Sequence, residues 1–228
     1  MLAPPPETLP DMPQRRVTHL YFVRHGETDS NVRGLLHGVT DVPLNPVGLR
    51  QAELIGKRLA ELQHLNHIVS SPLTRAFTTA QAIRRHSGLP LRVYEGLKEM
   101  NFGAAEGIPF SDVGARYPHQ SERFLDPSVH HARYPGGESR GEFFARVNTT
   151  VDDIANQHIG QHVVVVAHGG FISATLTVLM SEHSNNWQDR PIHNCSLTHI
   201  ELSTSAPIAH LVNDAVHLEQ LDLLEDMA

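Results

Sequence analysis

Short apolar runs alternate along the chain with longer segments whose apolar residues recur every three to four positions. Val17 to Val23 is β-branched and aromatic-rich and stops abruptly at Arg24-His25-Gly26, as a buried strand followed by a loop would. Asn45-Pro46 predicts a helix start, with Asn as cap and Pro at the first helical position. Behind it Ala52, Ile55, Leu59 and Leu62 repeat at helical spacing. His67 to Ser70 is a second short strand, and Ser71-Pro72 repeats the cap-and-proline signal before a helix reaching about His86. Leu91 to Tyr94 is a third strand. Ser139 and Glu142 form a capping box, opening a helix with Phe144, Val147, Val151 and Ile154 on one face. Val163 to Ala167 is the most strand-like run, continuous as expected when both faces are covered. A helix from about Gly170 follows, then strands at Cys195 to Leu202 and Ile208 to Val212.

Strands alternating with helices of this length predict an α/β fold. The expected architecture is a three-layer α/β/α sandwich with a mainly parallel central sheet and helices on both faces. Residues 100–137, rich in Gly, Pro, His and Arg with weak periodicity, read as an inserted, lid-like excursion with one short helix from Phe110 to Tyr117. Residues 1–14 carry Pro4, Pro5, Pro6, Pro10 and Pro13 and read as a disordered tail, leaving residues 15–228 as one domain.

Composition narrows the function classes. A net charge of −7 argues against general affinity for nucleic acid or an anionic membrane. The apolar stretch from Val163 to Met180 is long enough for a membrane span, but His168, Gly169 and Gly170 interrupt it, so a strand, a turn and a helix are expected instead. The prolines near the N-terminus break up any signal-peptide layout. A single cysteine, Cys195, fits a reducing compartment, so a cytoplasmic location and a buried structural thiol are expected. Just two of the 18 basic residues are lysines, Lys57 and Lys98. The arginines that make up the rest suit bidentate contact with phosphate or carboxylate, although genome composition produces the same bias.

In open α/β sheets, ligands bind beyond the carboxyl ends of the strands. Here the first strand ends at Arg24 and His25, and the fourth at His168, Gly169 and Gly170. The second delivers Arg75 in the first turn of a helix, and the third is followed within a few residues by Glu99. Two histidines, two arginines and one carboxylate therefore converge on one edge. Arginines and helix N-terminal amides suit phosphoryl oxygens. An imidazole can take up a phosphoryl group covalently. A carboxylic acid can protonate a departing alkoxide and then serve as base for water. Each residue alone is commonplace; the joint order is what points to phosphoryl chemistry.

The segment Tyr21-Phe22-Val23-Arg24-His25-Gly26-Glu27-Thr28 resembles the signature of the histidine phosphatase superfamily, the phosphoglycerate mutase-like proteins. The likeness continues through Asn31, Gly38, Asp41, Pro43-Leu44, Gly48 and Gln51-Ala52. It resumes at Ser70 to Ala76, at Leu97-Lys98-Glu99, Phe102-Gly103 and Glu106-Gly107, at Gly137-Glu138-Ser139, at Val165 to Gly170 and at Asn194. The resemblance implies His25 as the phosphorylated nucleophile and Glu99 as proton donor. It implies Arg24, Arg75 and His168 as ligands of the phosphoryl oxygens, with Asn31 and the Gly169 amide assisting. Glu27 and Thr28 are expected to fix the loop.

Two positions depart from the usual family pattern: His37 stands where a glutamine is common, and Ala105 where an aromatic is common. Both are expected on the substrate side of the pocket. The long insertion with an Arg-Arg pair that accompanies mutase activity is missing; Arg116, Arg123 and Arg133 occur singly. Hydrolysis of a small-molecule phosphate ester is therefore favoured over primed mutase transfer. A catalytically idle phospho-ligand binding module is disfavoured because His25, Arg75 and Glu99 are all present. Seventeen histidines raise the question of a metal, but His130-His131, His64 with His67, and His193 with His199 match no zinc-ligand pattern. No cofactor and no metal is expected. The segment Ile208 to Leu224 could pack internally or form a homodimer interface.

Overall fold

In a computed structural model, residues 17–126, 128–180, 190–219 and 221 are described; the proposed tail at 1–14 lies outside them. A six-stranded sheet runs in the order β3-β2-β4-β1-β5-β6, with β1 at Thr18–Arg24, β2 at His67–Ser70, β3 at Leu91–Val93, β4 at His162–Ala167, β5 at Leu197–Leu202 and β6 at Ile208–Asp214. The pairings β1–β4, β2–β4 and β2–β3 are parallel, whereas β5 is antiparallel to both β1 and β6. The expected mainly parallel sheet therefore carries an antiparallel hairpin on one side. Four consecutive valines, Val163 to Val166, are fully buried. At about 1.5–3 kcal/mol per buried aliphatic side chain, they explain why β4 takes a central position.

One face of the sheet is covered by α2 (Pro46–Ala60) and α3 (Thr74–Ser87), which bury Ile55, Leu59, Ala76, Ala80 and Ile83 against Val23, Val164 and Val166. The other carries α6 (Arg140–Gln157) and α7 (Gly169–Leu179), with Phe143, Val147, Ile154 and Phe171 against Phe22, Val163 and Val165. The three expected layers are present. The stretch Val163 to Met180 resolves into β4 and α7, and no helix among the described residues is long and apolar enough to cross a membrane.

Local signals explain most of the boundaries. Asn45 Oδ1 accepts the Gly48 N–H at 2.8 Å, and Ser139 and Glu142 form the reciprocal capping box. Three expectations need correction. The helix after Ser71-Pro72 begins at Thr74, and its first turn is capped from a distance: Asp41 accepts the Thr74 N–H and hydroxyl, both at 2.7 Å. On α6 the buried aromatic is Phe143, while Phe144 is half-buried, because the helical stripe continues Val147, Val151 and Ile154 back to 143. Residues 100–137 hold two short helices, α4 (Phe110–Arg116) and α5 (Pro118–Leu125), rather than one. They are anchored by Val113, Phe124, Ala132 and Tyr134, all buried in the same core as α6 and α7.

Candidate active site

The loop leaving β1 is built by close backbone approach and capping. A Cβ on Gly26 would lie 2.4 Å from the Gly48 carbonyl, so the first turn of α2 can sit against this loop only because neither position has a side chain. Thr28 then caps α1 (Asp29–Val32), a short helix that the hydrophobic pattern does not reveal. Asn31 returns the cap: its Oδ1 accepts the Thr28 N–H at 3.1 Å and the Asn194 amide at 3.2 Å. Asn194 also holds the His25 carbonyl, at 2.9 Å. The Cys195 N–H donates to the Arg24 carbonyl at 3.0 Å with φ of 54°, a left-handed conformation uncommon outside glycine, so the chain is strained where it secures the loop. Cys195 is buried and its thiol is pushed up by that burial, as a structural thiol would be.

Arg24, His25, His37, Arg75, Glu99 and Gly169 line one cavity of about 360 Å³ at the carboxyl end of the strands. Asn31 lines the apolar cavity that adjoins it. His168 is fully buried behind His25, with ring centroids 5.2 Å apart, and its Nε2 meets Ser71 Oγ at 2.8 Å. Ser71 Oγ also accepts the N–H of Leu73, the residue that precedes α3, at 3.3 Å, so one hydroxyl serves both His168 and the helix start. His37 stands beside His25, 6.2 Å between centroids, as the sequence suggests. Ala105 does not reach the pocket: it is fully buried in the core beneath the site.

The cations are fixed by backbone carbonyls. Arg75 Nη1 and Nη2 donate to Thr40 O at 2.9 Å and Gly38 O at 2.6 Å, and Arg24 Nη1 donates to Ile192 O at 2.5 Å. The loop that supplies Gly38 and Thr40 is pinned in turn by Glu106, whose carboxylate accepts the Val39, Thr40 and Phe102 N–H groups. Arg24 Nε, Arg75 Nε, His37 Nε2 and His168 Nδ1 are buried and lack a hydrogen-bond partner. Buried polar atoms without partners are costly; Arg24 Nε, Arg75 Nε and His168 Nδ1 form a donor set suited to an oxyanion, whereas His37, whose Nδ1 donates to the Leu35 carbonyl at 3.1 Å, presents a lone pair on Nε2.

Electrostatics assigns states to the titratable groups. Burial, reinforced by His168, Arg24 and Arg75, holds the His25 imidazole well below its usual value, so the ring is neutral at pH 7. Its Nδ1 lies 2.8 Å from the Gly26 carbonyl, which requires the proton on Nδ1 and leaves the lone pair on Nε2. His168 is likewise held well below the ordinary range, by burial and then by Arg75. Burial lowers Arg75 to about 10, still protonated at neutral pH. Burial raises Glu99, against the opposing effect of N–H groups from Met100 and Gly170. A carboxyl raised in this way can carry a proton and release it.

Glu99 is held from two sides. The Gly170 N–H, in the first turn of α7, donates to Oε2 at 2.8 Å. Arg146 donates to the carbonyls of Gly96 and Lys98, both at 2.8 Å, and of Glu99 at 3.2 Å, while Glu138 clasps the same guanidinium at 2.7 Å. Arg146 carries no motif in the sequence and is one helical residue among many there. Gly170 yields a direct prediction. A Cβ at this position would lie 2.6 Å from Glu99 Oε1, so Gly170→Ala displaces the carboxyl while leaving α7 intact. Turnover of an alkyl phosphate should fall about tenfold in steady-state assays; unchanged kcat would show that the position of this carboxyl does not matter.

The comparisons with known proteins agree with this geometry. The sequence profile of the histidine phosphatase superfamily (branch 1) matches residues 20–215. Phosphoglycerate mutase-like protein 4 of Arabidopsis thaliana is 35% identical over 154 residues, 67% of each chain. The phosphoserine phosphatase of Entamoeba histolytica, solved as a mutant with phosphoserine, superposes with a TM-score of 0.79 at 27% identity, covering 88% of this chain and 99% of that one. A mycobacterial glucosyl-3-phosphoglycerate phosphatase, solved with vanadate, gives 0.75 at 28% identity over 86% and 99%. With the profile spanning β1 to β6, the chain belongs to branch 1 of the histidine phosphatase superfamily.

Proposed function

We propose that the protein hydrolyses phosphate monoesters of small molecules through His25, and that the alcohol portion of its substrate is apolar. The observation that carries the first part is the unpartnered donor set, Arg24 Nε, Arg75 Nε and His168 Nδ1, around a neutral imidazole. His25 Nε2 attacks phosphorus, and the bond from phosphorus to the ester oxygen breaks. Glu99 passes its proton to that oxygen as the alcohol leaves. Water then attacks the phosphohistidine, Glu99 takes up the water proton, and inorganic phosphate departs with His25 restored. Arg24, Arg75 and His168 hold the phosphoryl oxygens throughout, with the positive end of α7 at Gly169 directed at them. Asn31, its carbonyl oxygen engaged by Thr28 and Asn194, offers its amide nitrogen.

The second part rests on the adjoining cavity of about 560 Å³, which shares Arg24, His37, Glu99 and Gly169 with the phosphate pocket. Its far wall is Leu36, Phe102, Val113, Phe124 and Tyr134, and at its rim Phe110 and Leu125 are 69% and 67% exposed. Arg24 and Arg190 line it as well, but residues 100–137 carry no adjacent arginine pair of the kind that accompanies mutase activity, which favours hydrolysis over mutase transfer. The test is kcat/KM for ethyl, butyl and hexyl phosphate, whose leaving groups are nearly equal in basicity, beside phosphoserine and 3-phosphoglycerate. Each methylene buried is worth about 0.8 kcal/mol, so efficiency should rise about fourfold per carbon. Phe110→Ser should flatten the rise. Efficiency independent of chain length, or highest for phosphoserine, would reject an apolar alcohol.

A further inference from the structure

The opposite end of the sheet carries a second cluster of chemistry-bearing side chains. β1 presents His19, Tyr21 and Val23 to the same face, and the register places His162 of β4 beside His19 and His199 of β5 beside Tyr21. His210 of β6 completes the row beyond a bulge in the β5–β6 pairing. His19 Nδ1 and His199 Nε2 are 3.0 Å apart, and the rings of His199 and His210 stack with centroids at 4.7 Å. One ring nitrogen from each of His19, His199 and His210 lies within 4.8 Å of the other two. Glu201 reaches Nε2 of His210 at 2.8 Å.

We infer that His19, His199 and His210 form a binding site for a divalent late first-row transition ion such as Zn2+, tying the β5–β6 hairpin to β1. Imidazole nitrogens bind Zn2+ at about 2.0–2.1 Å, so two ligands of a tetrahedral ion stand roughly 3.3 Å apart. The His19–His199 pair already meets that spacing. His210 is exposed on the edge strand and closes the remaining gap by side-chain rotation. Glu201 supplies the carboxylate that typically orients or supplements metal-bound imidazoles. His162 stacks on His19 at 4.2 Å and stiffens the same patch. Imidazole-rich sites select Zn2+, Ni2+ and Cu2+ over the oxygen-seeking Mg2+ and Ca2+.

His19 is six residues before His25 along β1, which at about 3.3 Å per residue places the ion about 20 Å from the phosphate pocket. Its effect is therefore on the stability of the hairpin and not on turnover. The experiment is titration of chelator-treated, full-length protein with Zn2+ alone, read by calorimetry and thermal melting, with Co2+ absorption as the spectroscopic signature. One equivalent should bind with Kd near about 1 µM, raise Tm, and give the ligand-field bands of a low-symmetry nitrogen site with Co2+. His210→Ala, at an exposed edge position, and His19→Gln should each weaken binding at least about tenfold, while His25→Ala should leave it unchanged. Phosphatase turnover should be the same with and without Zn2+ in the two patch variants. No saturable binding, binding indifferent to His210→Ala and His19→Gln, or binding lost in His25→Ala would each overturn the assignment.

Discussion

His25→Ala should lower kcat by at least about 10⁴-fold on every phosphate ester, with KM changed far less. The imidazole combines a lone pair, a fixed tautomer and neutrality at pH 7, because the Gly26 carbonyl holds Nδ1–H and burial together with the cations around the ring disfavours protonation. Water in place of the ring would have to attack without the proximity that β1 supplies, and effective molarities of about 10⁵ M or more are lost with it. The anion-binding donors remain in the variant, which is why substrate affinity survives. Because His25 is buried, His25→Asn should be measured beside it, with melting curves showing both to be folded. In wild-type enzyme, rapid quench with labelled substrate should trap an acid-labile, base-stable phosphoryl adduct that both variants lack. Turnover above about 1% of wild type in a folded variant would reject covalent catalysis through this residue.

The sequence makes the frame of this site legible for a physical reason. Parallel strands bring their carboxyl ends to one edge, so residues that follow strands, such as Arg24, His25, Arg75, Glu99 and His168, meet without any contact being known beforehand. His37 was visible as a departure from the family pattern and indeed lines the pocket, whereas Ala105, a departure of the same kind, is core. What the pattern misses is support that depends on long-range docking. Asp41 caps a helix 33 residues downstream, Glu106 pins the loop that holds Arg75, and Arg146 reaches across from α6 to the Glu99 segment. Each is a charged residue whose partner is a backbone group, and backbone groups leave no trace in a sequence. Histidine pairs show the same limit. His130-His131 and His64 with His67 are neighbours in sequence, but the cluster at the far end of the sheet draws His19, His199 and His210 from three strands. Of the two short helices, α4 lies where one was expected, whereas α5 carries too few residues for a period to show, and its buried Phe124 is isolated in sequence.

Glu99→Gln separates proton donation from phosphoryl binding, and its expected signature depends on the leaving group. Alkoxides are too basic to depart unprotonated, so kcat on butyl phosphate should fall about 10³-fold. p-Nitrophenolate departs without help, so kcat on p-nitrophenyl phosphate should fall less than about tenfold unless the later attack of water becomes limiting. In that case a burst of p-nitrophenol equal to one enzyme equivalent should appear, because water attack also uses Glu99 as base. The pH profile carries the sign of the shift. Burial raises the Glu99 carboxyl, so the proton needed for the first step is retained to higher pH than an ordinary glutamate would allow and is lost as pH rises through that raised value. Wild-type kcat on butyl phosphate should therefore decline on the alkaline side, and the Gln variant should lack that limb because an amide does not titrate. Gln keeps the size of the side chain and can present its one oxygen to the Gly170 N–H, giving up the bond from the Met100 N–H to the other oxygen, so melting curves should show the fold around α7 to hold. Equal losses on both esters, with the alkaline limb retained, would mean that Glu99 positions the site and another group delivers the proton.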